Sequence, residues 1–262
     1  MLKVADLDRI LNDAVPYSWA EDWDNVGLLL GDADDRVTGV AVALDPSLEA
    51  MRSAVDAGCS VLVTHHPLLL SPIKRLDCSE GAGARIAFAI RRRLSLFALH
   101  TNWDVSPRGV NAVIAEALDL REVRPLIPST DTSGSWGIGA IGELPQDAPM
   151  DDLGLSIKRA LGLSRLEVHG KPAGTQGLLA LCGGSGGSLW SSARASGANM
   201  YFTADMKYHD RLDALDAGMG LLLADHGEME NFSMKELAHV VSRSSGIEAV
   251  LLDAPERAFS MI

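Results

Sequence analysis

The sequence predicts an α/β protein, in which short apolar strands alternate with amphipathic helices. The run Val61, Leu62, Val63 is apolar and rich in β-branched residues, as expected for a strand covered on both faces. An earlier apolar run, 37–44, is separated from it by a helical pattern at 48–57, and such a β-helix-β unit makes its two strands parallel neighbours. The alternation restarts at residue 136. We therefore predict two similar α/β lobes with mixed or parallel sheets flanked by helices.

The remaining elements follow from the same periodicities. The first helix is predicted from Leu7, Ile10 and Leu11, which recur at the spacing of one helical face. Each predicted strand is a short, mainly apolar run that ends at glycine or at polar residues. Further helices are predicted at 84–93, 109–118, 150–161, 211–217 and 233–242, and further strands at 26–30, 96–99, 136–142, 166–169, 177–181, 200–203, 220–224 and 247–252.

A stretch that contains prolines, serines and threonines, 121–137, is the best candidate for a boundary between the lobes. It divides the chain into lobes of about 1–125 and 126–262, which we expect to form one domain, 1–262.

Composition narrows the classes of partner and compartment. The chain has 262 residues, of which 47% are hydrophobic and 22% charged, as is ordinary for a globular protein. A net charge of −12 disfavours a nucleic-acid partner, which needs a basic surface. Three cysteines without CxxC spacing suggest neither a disulfide framework nor a thiolate zinc site. With no long apolar run and no signal-peptide pattern, we expect a cytoplasmic protein without a membrane segment.

Histidines and carboxylates follow three of the predicted strands. The strand that begins at Val61 ends in His65, His66 and a proline, and in open α/β sheets ligands bind beyond such strand ends. His100 with Asp104 follows the next strand, and His226 with Glu230 follows the strand at 220–224. A histidine pair alone is more often a hydrogen-bonded loop feature. The repetition at three strand ends favours a metal site.

The ligand types indicate which metals and which chemistry to expect. Imidazoles and carboxylates without thiolate suit Zn, Fe, Mn or Ni. Adjacent histidines are more easily shared between two ions than bound to one, so a two-metal site and metal-assisted hydrolysis are predicted. Glu228, Asp205 and His209 are candidates for orienting the ligands or transferring protons, although each could also cap a helix.

Three other features leave alternatives open. Trp19 and Trp23, beside acidic residues, are either a wall on which a ligand stacks or, more commonly, loop anchors. The glycine-rich segment 182–188 could cradle an anion, and a plain tight turn explains it as well. His169 is expected to be structural.

Five motifs, in this order, resemble those of the Nif-three-like family of dinuclear metal center hexameric proteins, whose members are also called GTP cyclohydrolase I type 2 homologs. They are NVGLLLGD at 25–32, VTHHPLLL at 63–70, LHTNWD at 99–104, TADMKYHD at 203–210 and DHGEMENF at 225–232.

The resemblance implies a Nif-three-like fold and a toroidal homohexamer with two divalent transition metal ions per subunit. The metal ligands that the resemblance implies are the five residues that the strand ends suggest, namely His65, His66, Asp104, His226 and Glu230. His100 is a further candidate. The chain lacks the extra domain that longer members insert. It departs from the family pattern at Ala204 and Asp225, where glycine is usual.

The resulting hypothesis is a dinuclear-metal-dependent hydrolase, similar to GTP cyclohydrolase, that acts on a nucleotide-like or phosphorylated small molecule with metal-bound hydroxide as nucleophile. Glu230 and His209 are its predicted catalytic residues. The alternative is a non-catalytic, metal-binding hexameric scaffold that binds partner proteins. No guanine-reading signature in the sequence decides between them.

Overall fold

The computed structural model describes residues 1–130, 136–146, 149–172 and 177–253 of the chain. Short strands and helices alternate throughout, as the sequence predicts for an α/β protein. Part of the predicted boundary segment, 131–135, lies outside the described residues. Among the helices that are described, none combines the length and the hydropathy needed to cross a bilayer.

The strands are mostly four residues long. In chain order they are β1 (Gly27–Leu30), β2 (Val40–Ala43), β3 (Val61–Thr64), β4 (Ser95–Ala98), β5 (Arg121–Arg124), β6 (Ile127–Pro128), β7 (Gly137–Ile138), β8 (Ala140–Glu143), β9 (Leu166–His169), β10 (Leu178–Leu181), β11 (Met200–Thr203), β12 (Gly220–Ala224) and β13 (Ala249–Leu251).

Ten α-helices accompany these strands in the described part of the chain. They are α1 (Val4–Ala14), α2 (Leu48–Asp56), α3 (Gly81–Arg92), α4 (Thr101–Asp104), α5 (Val110–Ala117), α6 (Met150–Leu161), α7 (Trp190–Ala195), α8 (Tyr208–Asp216), α9 (His226–Asn231) and α10 (Met234–Ser245). Single 3-10 turns occur at Tyr17–Trp19 and Gly187–Leu189.

The chain divides into two compact units. The first comprises Met1–Trp103 together with Met234–Ile262, and the second comprises Asp104–Ser233. This differs from the predicted lobes of about 1–125 and 126–262 in two ways, because residues 104–125 belong to the second unit and α10 and β13 return to the first. There β13 pairs in parallel with β2, and α10 packs against α1.

The first unit is built on a five-stranded sheet with the order β1-β4-β3-β2-β13. Strands β2, β3 and β4 are parallel and every one of their residues is buried, which explains why they are apolar on both faces. The β2-α2-β3 unit is the predicted one. Strand β1 runs antiparallel to β4, so its start at Gly27 lies beside Ala98, at the end of β4.

The second unit contains a six-stranded sheet with the order β5-β8-β10-β11-β12-β9. Its centre, β10-β11-β12, is parallel, whereas β8 and β9 flank it in antiparallel orientation. The fully buried rings of Tyr201 and Phe202 lie in this central part. Both sheets are therefore mixed, with parallel centres flanked by helices, and the predicted fold class is confirmed.

Candidate metal centre

His65 and His66 continue the backbone pairing of β3 beyond the end of the strand. The amide of His65 donates to Ala43 O at 3.2 Å, and that of His66 donates to Leu44 O at 2.9 Å. Thr64 Oγ1 then donates to the carbonyl of His66 at 2.6 Å, and Pro67 follows, which has no amide hydrogen to donate. The sheet thus fixes the backbone of both histidines, and the His65 side chain is fully buried.

His100 follows β4, the parallel neighbour of β3. Its amide donates to Asn102 Oδ1 at 2.9 Å, and its carbonyl accepts from the amide of Trp103 at 2.8 Å as the short helix α4 begins. The buried Trp103 ring anchors this turn. Because β3 and β4 end at the same edge of the sheet, His100 comes close to the other two histidines.

These three histidines, here called the histidine cluster, can each offer one nitrogen such that all three atoms lie within 4.8 Å of one another. The centroid of the His65 ring is 5.0 Å from that of His66 and 5.1 Å from that of His100. The predicted convergence of His65, His66 and His100 is therefore present within the first unit.

An oxygen atom contacts the Nδ1 atom of every ring in the histidine cluster. Nδ1 of His65 lies 3.0 Å from Leu99 O, that of His66 lies 2.7 Å from Asp45 Oδ1, and that of His100 lies 2.8 Å from Asp24 Oδ1. A carbonyl or a carboxylate can only accept, so Nδ1 carries the proton in each ring. Nε2 is then the nitrogen that can bind a metal, an arrangement typical of metal-ligating histidines.

Asp24 is held more firmly than a surface carboxylate. Its side chain is fully buried and also accepts from the amide of Asn25 at 2.8 Å, and from the amide and the hydroxyl of Thr101 at 3.0 and 2.5 Å. Burial alone would raise its pKa, but the hydrogen bonds from His100 and Thr101 outweigh burial and hold the pKa of Asp24 at about 2. The carboxylate beside His100 is therefore ionised at any ordinary pH.

In the second unit, His226 and Glu230 lie one turn apart on α9. Nε2 of His226 is 2.9 Å from Glu230 Oε1, as their spacing of four residues predicts. Asp225 caps this helix, because its carboxylate accepts from the amide of Glu228 at 3.1 Å. One of the two residues at which this chain departs from the family pattern thus caps the helix that carries the predicted ligands His226 and Glu230.

Nδ1 of His226 also has a carboxylate partner, Asp205 Oδ2, at 2.5 Å. The hydrogen bond to Glu230, aided by Asp205, outweighs burial and raises the pKa of the His226 imidazole to about 9. A proton on Nε2 therefore occupies the position that a metal ion would take between His226 and Glu230. Metal binding here must release that proton.

Asp104 lies near Glu230 in the same unit, and one carboxylate oxygen of each is within 4.8 Å of the other. We call Asp104, His226 and Glu230 the carboxylate cluster. Burial, together with the charges of Asp104 and Glu230, raises the pKa of the neighbouring Cys182 thiol well above its ordinary value. Cys182 is thus a neutral thiol beside concentrated negative charge, which suits a cation.

Buried Asn111 holds the backbone of this cluster. Its Nδ2 donates to Asp104 O at 2.9 Å, and its Oδ1 accepts from the amide of Gly183 at 2.9 Å. The neighbouring Gly184 has φ of +66°, and a Cβ there would lie 2.2 Å from Glu230 Oε1. The glycine-rich segment therefore packs directly on the Glu230 carboxylate, which makes it an unfavourable anion cradle and favours the tight-turn interpretation.

The other predicted residues, His209, Glu228 and His169, belong to neither cluster. His209 is exposed on α8, with its ring 5.3 Å from that of Tyr208, and belongs to neither cluster, so its catalytic role stays a prediction. Glu228 accepts from the amide of Ser164 at 2.9 Å, as a structural residue would. His169 lies in β9 with its Nε2 2.9 Å from Glu167.

The sequence analysis missed three residues that hold the predicted ligands or the neighbouring His100: Asp24, Asp45 and Asn111. A signal for Asp45 was present, because it follows β2, the parallel neighbour of the strand that ends in His66. Neither Asp24 nor Asn111 shows such a pattern.

The donor atoms of both clusters fit divalent transition metals. They are imidazole nitrogens and carboxylate oxygens, and three of the four rings are oriented by carboxylates. Negative charge lies beside the histidine cluster, on Asp24 and Asp45, and within the carboxylate cluster. Fold and donors together define the class as an α/β protein with histidine and carboxylate groups, at the ends of its strands, that can bind metal ions.

The chain belongs to the Duf34/NIF3 (NGG1p interacting factor 3) family, which it matches over residues 2–256, and the resemblance noted from its motifs is confirmed. It is 35% identical over 212 residues to a Streptomyces coelicolor protein named GTP cyclohydrolase 1 type 2 homolog, covering 80% of this chain and 74% of that one. A Clostridium perfringens protein of the same name is 29% identical over 229 residues, with 87% of each chain covered.

Solved structures resemble the whole chain. The crystal structure of Staphylococcus aureus protein SA1388 gives a TM-score of 0.89 at 28% identity and covers 100% of this chain and 99% of that one. Reduced HcgD from Methanocaldococcus jannaschii gives 0.79 at 27% identity and covers 97% and 98%.

Proposed function

We propose that this protein is a metal-dependent hydrolase that acts on a nucleotide-like or phosphorylated small molecule. The enzyme would use two divalent transition metal ions, and the residues proposed to bind them are His65, His66, Asp104, His226 and Glu230. The observation that carries the proposal is that Nδ1 contacts an oxygen atom in each of four histidine rings, those of His65, His66, His100 and His226. This leaves Nε2 as the ligand nitrogen in each ring. The names of the relatives support a nucleotide substrate.

Bound metal ions of this kind lower the pKa of a coordinated water and polarise a phosphoryl or carbonyl oxygen. The chain itself supplies orientation and charge. Asp24 and Asp45 fix the ring planes of His100 and His66, and Asp205 does the same for His226. The rigid outer contacts reduce the reorganisation needed when ligands bind.

Glu230 is the proposed residue that exchanges a proton during the reaction. Its carboxylate is buried, only 3% of the residue being exposed, and it contacts a histidine that holds a proton at neutral pH. That proton can pass between His226 Nε2 and Glu230 Oε1 only in the metal-free protein. Because metal binding releases it, Glu230 would be the group that takes up or gives a proton in the metal-loaded protein. His209, exposed on α8, is proposed to exchange protons with solvent.

Elemental analysis tests the metal part of the proposal. About two equivalents of transition metal per chain are expected, and a His65→Ala/His226→Ala double variant should lose them. His169→Ala is the matched control, because this histidine also contacts a carboxylate but lies outside both clusters. Metal retained in the double variant, or none bound by the wild-type protein after reconstitution, would refute the site.

Turnover on a panel of nucleotides and phosphoesters tests the hydrolase part. Glu230→Gln should abolish turnover, whereas a scaffold would keep its partners and show no turnover in either form. The ring-shaped hexamer that the family resemblance implies, and the cytoplasmic location expected from the sequence, are part of the same proposal. Light scattering on the purified protein checks the subunit number.

A further inference from the structure

Trp23 is unusual among the tryptophans of this protein because its side chain is exposed. Of the five tryptophans in the chain, all in the described part, Trp103 is buried and Trp19, Trp136 and Trp190 are partly buried. Trp23 is 60% exposed. Burial of an aromatic ring is favourable, so the exposure of this indole, on a loop that hydrogen bonds hold in place, needs an explanation.

The loop that carries Trp23 is held in place on both sides of it. Asp24, the next residue, makes the buried hydrogen bonds to His100 and Thr101 described above. The amide of Glu21 donates to Thr101 Oγ1 at 3.0 Å, and Asn25 Nδ2 donates to Leu69 O at 2.8 Å. Because these contacts fix the backbone before and after Trp23, the indole is held outward by the structure of the loop.

Trp23 is also placed beside the histidine cluster. The centroid of the indole lies 6.1 Å from that of the His100 ring, and the two planes meet at 80°. This edge-to-face contact fixes the indole while most of it stays open to solvent. A molecule with one end at the histidine cluster therefore has an aromatic surface beside it.

We infer that Trp23 is a stacking platform for the planar heteroaromatic ring of a substrate, such as a purine. This inference rests on the proposed function and narrows its substrate class to ring-bearing phosphorylated compounds. Stacking on an aromatic side chain tolerates different bases, because every base offers a π face. It is therefore compatible with a chain in which no guanine-reading signature was found.

The experiment compares two probes, GMP and ribose 5-phosphate, by calorimetry on the metal-loaded protein. Both carry a phosphate and a ribose, and only GMP carries a heteroaromatic base, so the ratio of their dissociation constants isolates the contribution of the base. The wild-type protein should prefer GMP by about 10-fold or more. Trp23→Ala should abolish that preference while leaving the affinity for ribose 5-phosphate unchanged, and Trp23→Phe should keep part of it.

Ile90→Ala is the matched control, since Ile90 is also 60% exposed in the first unit and should not affect the ratio. The inference is overturned if the wild-type protein does not prefer GMP, or if the preference survives in Trp23→Ala. It is also overturned if Trp23→Ala changes the subunit number in light scattering, because a second copy of the chain would then cover the indole. Failure of the proposed function appears separately, as absent metal or as absent turnover across the panel.

Discussion

Replacing Gly184 with alanine tests how firmly the glycine-rich segment holds Glu230. Gly184 has φ of +66°, and an added Cβ would lie 2.2 Å from Glu230 Oε1, whereas ordinary contact begins at 3.4 Å. The carboxylate must therefore move by about 1 Å. That movement would break or weaken its 2.9 Å contact with His226 Nε2.

Gly162→Ala is the matched control. Gly162 has the same φ of +66° at the end of α6, and a Cβ there would have nothing within 4 Å. Both variants carry the strain of a left-handed alanine, about 1 kcal/mol. Only Gly184→Ala disturbs a buried, charged hydrogen bond, which is worth about 1.5–3 kcal/mol.

Urea denaturation in the presence of a chelator should therefore show Gly184→Ala to be about 2 kcal/mol less stable than Gly162→Ala. Competition with a chromogenic chelator should show metal affinity reduced at least about 10-fold in Gly184→Ala alone. In a Glu230→Ala background the extra loss of stability should disappear, because the two side chains no longer meet. Equal stability and equal metal affinity of the two glycine variants would refute this account of the segment.

Three further predictions concern the residues that hold the site and the first unit. Asp45→Asn should weaken metal binding about 10- to 100-fold in the same chelator competition, because a neutral amide no longer supplies the negative charge that strengthens Nε2 of His66 as a ligand, whereas exposed Asp56→Asn should not. Asn111→Ala should lower the free energy of unfolding by about 2 kcal/mol in urea, since it leaves the partly buried carbonyl of Asp104 and amide of Gly183 without these hydrogen bonds. Burial, and a hydrogen bond to Asp8, raise the pKa of Tyr17, so stability that is intact below pH 10 should fall as pH rises further. Because the raised pKa of the Cys182 thiol contributes an alkaline decrease of its own, Tyr17→Phe should show a smaller decrease than the wild-type protein, and a decrease of equal size would contradict the prediction.

The parallel core of the first sheet was predictable because it depends on local composition. Strands β2, β3 and β4 are buried on both faces, so each is a continuous apolar run, and the helix between β2 and β3 shows the expected period. The return of β13 to that sheet was not predictable. A helix followed by an apolar strand is compatible with either sheet, and only long-range pairing with Val40–Ala43 decides between them.

The grouping of the three histidines was predictable for a similar reason. Residues at the carboxyl ends of parallel strands meet at one edge of the sheet, so His65, His66 and His100 could be grouped from strand positions alone. Asp24 could not be added to them. It precedes β1, and only the antiparallel pairing of Gly27 with Ala98 brings the start of that strand to the end of β4. Nothing in the local sequence of β1 sets that direction.

The carboxylates behind the rings favour the proposed metal site over the commoner hydrogen-bonded histidine. Removing a carboxylate from water costs free energy that a neutral imidazole only partly restores, so a buried Asp24 beside His100 favours positive charge in the cluster. At His226 the positive charge is a proton, held by Glu230 and Asp205 with a pKa of about 9. A divalent ion can supply this positive charge at both clusters, so the carboxylates that orient the rings also strengthen metal binding. Orientation and charge thus have one origin in this site, which is why a single residue such as Asp24 is expected to affect both.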